Sequence, residues 1–578
     1  MHNPNWAAAD HSAKPYRSST LATTPERRRI WKRRHFDEPA MLVPTVLQEL
    51  DTFIQERRIG AGIALLEQHL DDFRQLTPED CHAGSAAGCL AQWIDAGFDD
   101  HGVLFNLLGG FPQTGRQRLP LADYVQLRMA EGLVAMRRED LAEALGHLDT
   151  TLRLADDLKD TRIAATATLW KARCLRKAGE YDQALEVTRR GIAIASSLAS
   201  PYVAAVLRTL ESWLLFQKGD TKDAIAILQE AETVLRETDD LITLGNIQST
   251  YGRIALREGR YDHAMQYFDA SIELFKRRAS LEGYLARSLT NIAQAKRFLA
   301  MQLRRSIDAR RERFAGSADA QPLNKRDKAG QLERMHELLR SAQTDLAQAD
   351  EIYKRAGNHH GAGNVDVNLA QIYLDLGELE QADERASEAF DLASSKADYL
   401  LMCRARIVQA MVANARFEEQ IGESEDPSRF AQLAHDCARE AIDLGERTES
   451  RRLLAQAHVC HGMTLVNGFF HNIELARACC NRAEAYLDHD RHDALWQEIE
   501  ILRAKILHSG IEDPNLRAWS QGAIGDKSLQ AVVADFEELL IRKVWEHEGR
   551  KVSRVAHKLA VSPKKVRRVL RHLGLLSA

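Results

Sequence analysis

Along most of this chain apolar residues recur every three to four positions, the spacing that collects them into one stripe of an α-helix. These periodic segments come in pairs separated by short Gly-bearing turns, and the pairs repeat. Gly179, Tyr181 and Ala184 recur as Gly219, Thr221 and Ala224 and again as Gly259, Tyr261 and Ala264, with 40 residues from one glycine to the next. The same phase puts Ala144 one period earlier, and Gly377, Leu379 and Ala382 form a later copy, 118 residues after Ala264 and close to three periods on. Each unit reads as two antiparallel helices: the glycine permits a tight turn, and the small residue five positions later lets the second helix approach the first. Twelve positions before that alanine stand small residues (Ala172, Ser212, Gly252, Ala370); nine before it they are mostly large (Leu175, Leu215, Tyr373, with Ala255 the exception).

This pattern resembles the tetratricopeptide repeat, in a variant whose period is nearer 40 than 34 residues. The resemblance spans roughly residues 120–510 and implies a right-handed superhelical solenoid with a concave groove that holds a peptide, a protein segment or a small ligand. One unit reads as interrupted between Leu303 and Gly330, where Gly316, Ser317 and Pro322 predict an exposed loop. The nearby Arg304, Arg305, Arg310, Arg311 and Arg313 fit either a solvated helical face or contact with DNA phosphate or an acidic partner. Residues 41–119 are helix-like without the repeat signature and predict an N-terminal helical cap.

Composition agrees with an all-α fold: few aromatics, only 13 Pro in 578 residues, and Ala, Leu, Glu and Arg in quantity. No apolar run reaches membrane-spanning length, and the N-terminus lacks a secretory core, which predicts a cytoplasmic protein. The eight Cys (81, 89, 174, 403, 437, 460, 479, 480) lack framework spacing, as expected where thiols stay reduced. Residues 1–40 read as a disordered arm ending in Arg27, Arg28, Arg29, Lys32, Arg33 and Arg34; it is either an unstructured tail or a segment that adds sequence-independent DNA affinity.

Charge is distributed unevenly. From Gly549 to Ala578 there are nine Arg and Lys and no Asp or Glu, so this segment is +9 and the rest of the chain, at −5 overall, is −14. An acidic body with a strongly basic terminal module is the asymmetry expected of a DNA reader attached to something else. The local pattern predicts three helices: an apolar-periodic one through Phe536, Leu539, Leu540, Val544 and Trp545 ending at Gly549; a short one opened by Ser553 as N-cap; and, after the turn Ala560-Val561, one capped by Ser562 with Pro563 at its first position. Val555, Ala556, Leu559, Val561, Val566, Leu570 and Leu573 would face one another.

The stretch from Phe536 to Leu575 resembles the C-terminal helix-turn-helix of Fis and of bacterial enhancer-binding activators, matching at Gly549, Ser553, Arg554, Ala556, Val561, Ser562, Leu570 and Gly574. It departs from them at Lys551 (commonly Asn), Ala560 (commonly Gly), and Pro563 and Lys565 (commonly Arg and Thr), so base preference does not carry over. The resemblance implies DNA binding by Lys551, Ser553, Arg554, Ser562, Lys564, Lys565, Arg567, Arg568 and Arg571. Lys564, Lys565 and Arg568 stand nearest the bases, and Lys551, Arg554, Arg567 and Arg571 on phosphates. Related domains work as dimers on half-sites about one DNA turn apart, so a homodimer is expected, joined through the helix around Leu529–Trp545 or through the repeats.

No phosphate-binding loop is present, since Gly525-Asp-Lys527-Ser528 lacks the upstream glycine. His435, Cys437, His458, Cys460, His461, Cys479 and Cys480 lie close in sequence, but without a C-x-x-C pair they read as packing residues rather than metal ligands. No nucleophile-base arrangement or cofactor motif appears. The reading that results is a transcription regulator, not an enzyme and needing no cofactor. Its repeat body senses a peptide, protein or small molecule and controls a terminal reader of double-stranded promoter or operator DNA, through a linker at residues 511–528. A repeat scaffold that assembles proteins is the alternative, and an enzyme or metal site within the repeats a distant third.

Overall fold

The computed structural model describes residues 39–116, 118–198, 201–315, 325–420, 428–487, 492–509 and 527–576. The proposed basic arm and nearly all of the proposed linker fall outside them. The N-terminal segment folds into α1 (Pro39–Gln55), α2 (Ile59–Gln68), α3 (Leu70–Gln75), α4 (Ala83–Asp95), α5 (His101–Gly109) and α6 (Gln113–Arg116). Its centre is the fully buried Trp93, seated so closely against Gly62 that a β-carbon there would overlap the indole. This segment shares one continuous apolar core with the first repeats, so it extends the array rather than standing apart.

Hairpins follow in order: α7 (Leu121–Arg137) with α8 (Leu141–Leu158), α9 (Thr161–Ala178) with α10 (Tyr181–Ala195), α11 (Tyr202–Lys218) with α12 (Thr221–Leu235), and α13 (Leu241–Arg257) with α14 (Tyr261–Lys276). Next come α15 (Glu282–Ala315) with α16 (Lys325–Arg355), α17 (His359–Leu376) with α18 (Leu379–Ser394), α19 (Tyr399–Gln420) with α20 (Ser428–Gly445), and α21 (Arg451–Leu465) with α22 (Ile473–Leu487); α23 (Leu495–Ser509) packs on the last pair.

The repeat residues do what their spacing predicts. Gly179, Gly219, Gly259 and Gly377 all adopt positive φ, from +73° to +96°, closing the first helix of each hairpin. Ala144, Ala184, Ala224, Ala264 and Ala382 are completely buried where paired helices touch. Ser212 is buried and bonds the Ala224 carbonyl at 2.7 Å, and a β-carbon on Gly252 would come within 2.6 Å of the Phe268 ring. Where the period first falls on a non-glycine, Glu139 takes the left-handed conformation, at φ +63°. Asp140, Asp160, Asp240 and Asn358 cap the following helices by accepting bonds from first-turn amides.

Two expectations change. The 118 residues from Ala264 to Ala382 hold two hairpin steps, not three, because α15 and α16 are 34 and 31 residues long. The predicted loop from Leu303 to Gly330 is helical on both flanks, with only residues 316–324 outside the described residues. Strong helix formers without Gly or Pro run through 303–315, so the insertion lengthens a hairpin instead of opening it.

The array curls until distant turns meet. The Glu449 amide donates to the Gly179 carbonyl at 3.1 Å, and the Glu449 carboxylate accepts from the Asp182 amide. The Ala494 amide donates to the Arg257 carbonyl at 2.6 Å.

At the C-terminus, α24 (Leu529–His547), α25 (Val552–Lys558) and α26 (Pro563–His572) enclose a small core of Ile541, Trp545, Val555, Ala556, Val566, Val569 and Leu570, with Leu559, Val561 and Leu573 half-buried. The cap of α25 is Lys551, not Ser553. Gly549 and Arg550 both turn the chain at positive φ, so the helix begins at Val552 and places Ser553 inside its first turn. Ala560, between α25 and α26, holds φ +49°. A β-carbon in that region costs about 1–2 kcal/mol. Ala560→Gly should therefore slow amide exchange of Val555 and Val566 in the full chain by an amount equal to about 1 kcal/mol; unchanged exchange would contradict it.

Candidate ligand groove and nucleic-acid interface

The first helices of the hairpins line a groove with a cavity of about 1670 Å³. That exceeds the ~300–1,000 Å³ of ordinary small-molecule pockets. Its lining includes fifteen Arg and Lys against seven Asp and Glu, although the body as a whole is acidic. Some of these cations are neutralised. Arg173 bonds Asp95 at 2.6 Å, with the Trp170 indole donating to the same carboxylate at 2.9 Å. Burial opposes the charge on Asp95 more than any single partner favours it, but Arg173, the Trp170 indole and Arg137 together hold the carboxyl below its ordinary value. Arg297 pairs with Asp375 at 2.5 Å and Arg452 with Asp493 at 2.7 Å. Arg304 and Arg305 belong to this groove as well: Arg304 donates to the Asp375 carbonyl at 2.9 Å and Arg305 to Gln497 at 3.4 Å.

Three others differ. Arg176 of α9 and Arg253 of α13 lie over the Trp213 ring of α11, at 4.9 and 5.7 Å from its centroid, while Tyr181 meets Trp213 edge-on at 5.7 Å. Arg287 of α15 bonds the Asn246 side-chain carbonyl and lies 5.2 Å from the Tyr284 ring. Among the described residues none of the three has a carboxylate within ion-pair distance. Burial, then the positive charges of Arg287, Arg173 and Arg253, depress Arg176 from the usual guanidinium value to about 9; burial and Arg287 take Arg253 down to about 10. Both remain charged at neutral pH, so the groove holds unbalanced positive charge.

Sequence reasoning missed these residues, although a signal existed. Six positions before the turn glycines stand Arg173, Trp213, Arg253 and Gln371, and all four line the groove. They adjoin the packing positions Ala172, Ser212, Gly252 and Ala370, and point to the other side.

The C-terminal unit presents a second cationic surface. Lys551, Ser553, Arg554, Ser562, Lys564, Arg567, Arg568 and Arg571 are exposed on α25, α26 and their flanks. Ser562 caps α26, accepting the Lys565 amide at 3.2 Å. Lys565 itself is drawn back onto α24 by Glu537 at 2.7 Å, which distinguishes it from Lys564 and Arg568. On α24, Leu529, Val533, Phe536 and Leu540 form an exposed apolar stripe at helical spacing, Leu529 being 75% exposed.

Among the described residues no group of three or more His, Cys, Asp or Glu could hold a metal, and no helix is long and apolar enough to cross a membrane. All eight cysteines are free. His461 Nδ1 lies 3.6 Å from Cys479 Sγ, His435 meets His461 edge-on at 5.0 Å, and His458 stacks on Tyr486 at 5.8 Å.

Residues 129–199 and 246–277 match models of the tetratricopeptide repeat, so the chain contains these repeats. No curated protein matches it in sequence. Solved structures similar to it include a Rap protein complexed with competence and sporulation factor (12% identity, TM-score 0.48, covering 70% of this chain and 100% of that one). Others are the apo form of the quorum sensor NprR from B. thuringiensis (17%, 0.37, 61% and 98%) and the signal transduction ATPase PH0952 from Pyrococcus horikoshii, with its tetratricopeptide repeat sensor (10%, 0.39, 84% and 68%).

The two buried histidines set an acid limit on the array. Burial lowers His458 and His461 to about 4, against 6.5 in an unfolded chain. Between those values the unfolded chain takes up protons that the folded one refuses, so stability is lost as pH falls from 6.5 toward 4. The slope is about 1.4 kcal/mol per pH unit for each histidine. His458→Phe should flatten the fall of the thermal midpoint between pH 6.5 and 4.5; an unaltered pH profile would contradict this assignment.

Proposed function

We propose that this protein is a DNA-binding transcription regulator. On this reading the C-terminal unit is a Fis-type helix-turn-helix at residues 529–578, and the groove of the repeat array at residues 120–510 is its sensor. The observation that carries the proposal is the exposed, acid-free face of Lys564, Arg567, Arg568 and Arg571 on α26, set on a short capped turn behind α25. A helix of this kind enters the major groove with its N-terminal residues toward the bases. Lys564 and Arg568 then reach base edges, Lys565 after releasing Glu537, while Lys551, Arg554, Arg567 and Arg571 grip phosphates beside Ser553 and Ser562.

One such module gives modest affinity, so a pair is needed. The stripe of Leu529, Val533, Phe536 and Leu540 supports a homodimer through α24, since an apolar helix face of this length is stabilised by covering it. A signal molecule in the repeat groove would change how two such readers are placed on DNA, acting through residues 511–528. The turn-to-turn contacts of Glu449 with Gly179 and of Ala494 with Arg257 are where the curl of the array would respond.

The test is binding of the full-length protein to genomic fragments, including its own promoter, at several salt concentrations. Wild type should select particular fragments. The triple variant Lys564→Ala, Lys565→Ala, Arg568→Ala should lose that selection, with affinity for the chosen fragment falling at least tenfold. Phe536→Glu with Leu540→Glu should yield monomers in sedimentation and weaken binding similarly. If wild type binds nothing above background at physiological salt, the regulator reading falls and a protein-assembling scaffold takes its place.

A further inference from the structure

We propose that the groove is built to take an oxyanion, a carboxylate or phosphate of the ligand, seated against Trp213 between Arg176 and Arg253 with Arg287 completing the site. This rests on the sensor reading above and adds the chemistry of what is sensed.

The placement of the three arginines carries the inference. They come from three different inner helices, α9, α13 and α15: Arg176 and Arg253 share the Trp213 ring of α11, and Arg287, over Tyr284, is near enough for its charge to act on both. Elsewhere in the same groove arginines are held by acids: Arg173 by Asp95, Arg297 by Asp375, Arg452 by Asp493. At Trp213 no acid is supplied. The Arg176 Nε is buried without a hydrogen-bond partner, and Arg253 makes no hydrogen bond or ion pair among the described residues. Like charges gathered in a low-dielectric cleft repel one another. A guanidinium has donors in a planar fork that suits carboxylate and phosphate oxygens. An anion placed among three of them gains charge-assisted hydrogen bonds and cancels the repulsion. Trp213, met edge-on by Tyr181, provides the ring over which Arg176 and Arg253 are held.

Size and surroundings fit a ligand larger than the anion alone. The cavity continues past Asn246, Asn291 and Asn364, whose amides are bonded within the protein, to Asn368, whose Oδ1 is buried without a hydrogen-bond partner. Acidic peptides and phosphate esters both bear the required oxyanion, so the probes must separate them.

The experiment is thermal unfolding of the full chain at constant ionic strength in sodium chloride, sodium pyrophosphate or a tetraglutamate peptide, for wild type and Arg176→Gln/Arg253→Gln. Wild type should be stabilised by several degrees by at least one anion over chloride, pyrophosphate marking a phosphate ligand and tetraglutamate a carboxylate one. The double variant should bind that anion at least tenfold more weakly. In sodium chloride alone it should melt at or above the wild-type temperature, because repulsion has been removed; a purely structural pair of arginines would make it melt lower. If the double variant does not fold, Arg253→Gln alone provides the same comparison.

No shift with either anion overturns the proposal, as does a shift that survives the substitutions. Because DNA is absent, the two readings fail separately. Anion binding without DNA selection leaves the site standing and removes the regulator, whereas DNA selection without anion binding does the reverse.

Discussion

Everything in this molecule depends on the fact that a single helical hairpin cannot bury its own apolar face. The alanines at 144, 184, 224, 264 and 382 are completely buried only because the partner helix lies against them, and each pair is covered by the next. Contacts are therefore chiefly between neighbours, and small angular steps add up along the chain. The sum is a curl tight enough for the Gly179 turn to meet Glu449, some 270 residues away. A groove with inner helices on opposite walls follows directly from this stacking, and charged side chains that are spaced far apart in sequence come to share it.

That sharing makes the groove interesting. An array whose body is acidic overall gathers fifteen Arg and Lys on the groove lining, and two of the arginines share the Trp213 ring with no carboxylate in ion-pair reach among the described residues. Unbalanced charge in a curled, neighbour-stacked solenoid opposes the curl itself, since the repelling groups sit on helices that curling brings together. On the proposed reading a ligand that neutralises them favours the tighter form, and the contacts at Glu449 and Ala494 register the difference. A sensor needs no moving hinge if every hairpin interface yields a little.

The architecture was legible because it rests on residues whose role is local. The positive φ of Gly179, Gly219, Gly259 and Gly377, and the burial of the alanine five positions on, follow from spacing alone. The number of units between Ala264 and Ala382 was not, because the distance is close to three periods while a lengthened hairpin also fills it. The start of α25 eluded the sequence for a similar reason. Ser553 is a good cap in isolation, but the left-handed pair Gly549 and Arg550 turns the chain early enough for Lys551 to take that position. The pairing of Lys565 with Glu537 of α24, 28 residues back, was likewise not legible, because it depends on how α24 packs against α26. The groove arginines were hidden because the meeting of Arg176 and Arg253 over Trp213, from two helices onto a third, is a tertiary fact, although Arg173, Trp213 and Arg253 share one repeat position.

On the proposed reading, charge in the groove and DNA binding by the C-terminal unit are two faces of one equilibrium. This can be tested without knowing the ligand, because removing the repelling charge should imitate its neutralisation. The measurement is the DNA affinity of full-length Arg176→Gln/Arg253→Gln beside wild type, on the fragment that wild type prefers and at fixed salt. The expected result is a change of about fivefold or more in either direction, the usual size of coupling between distant sites, although neither residue belongs to the C-terminal unit. Equal affinity in a variant that folds and dimerises normally would contradict it.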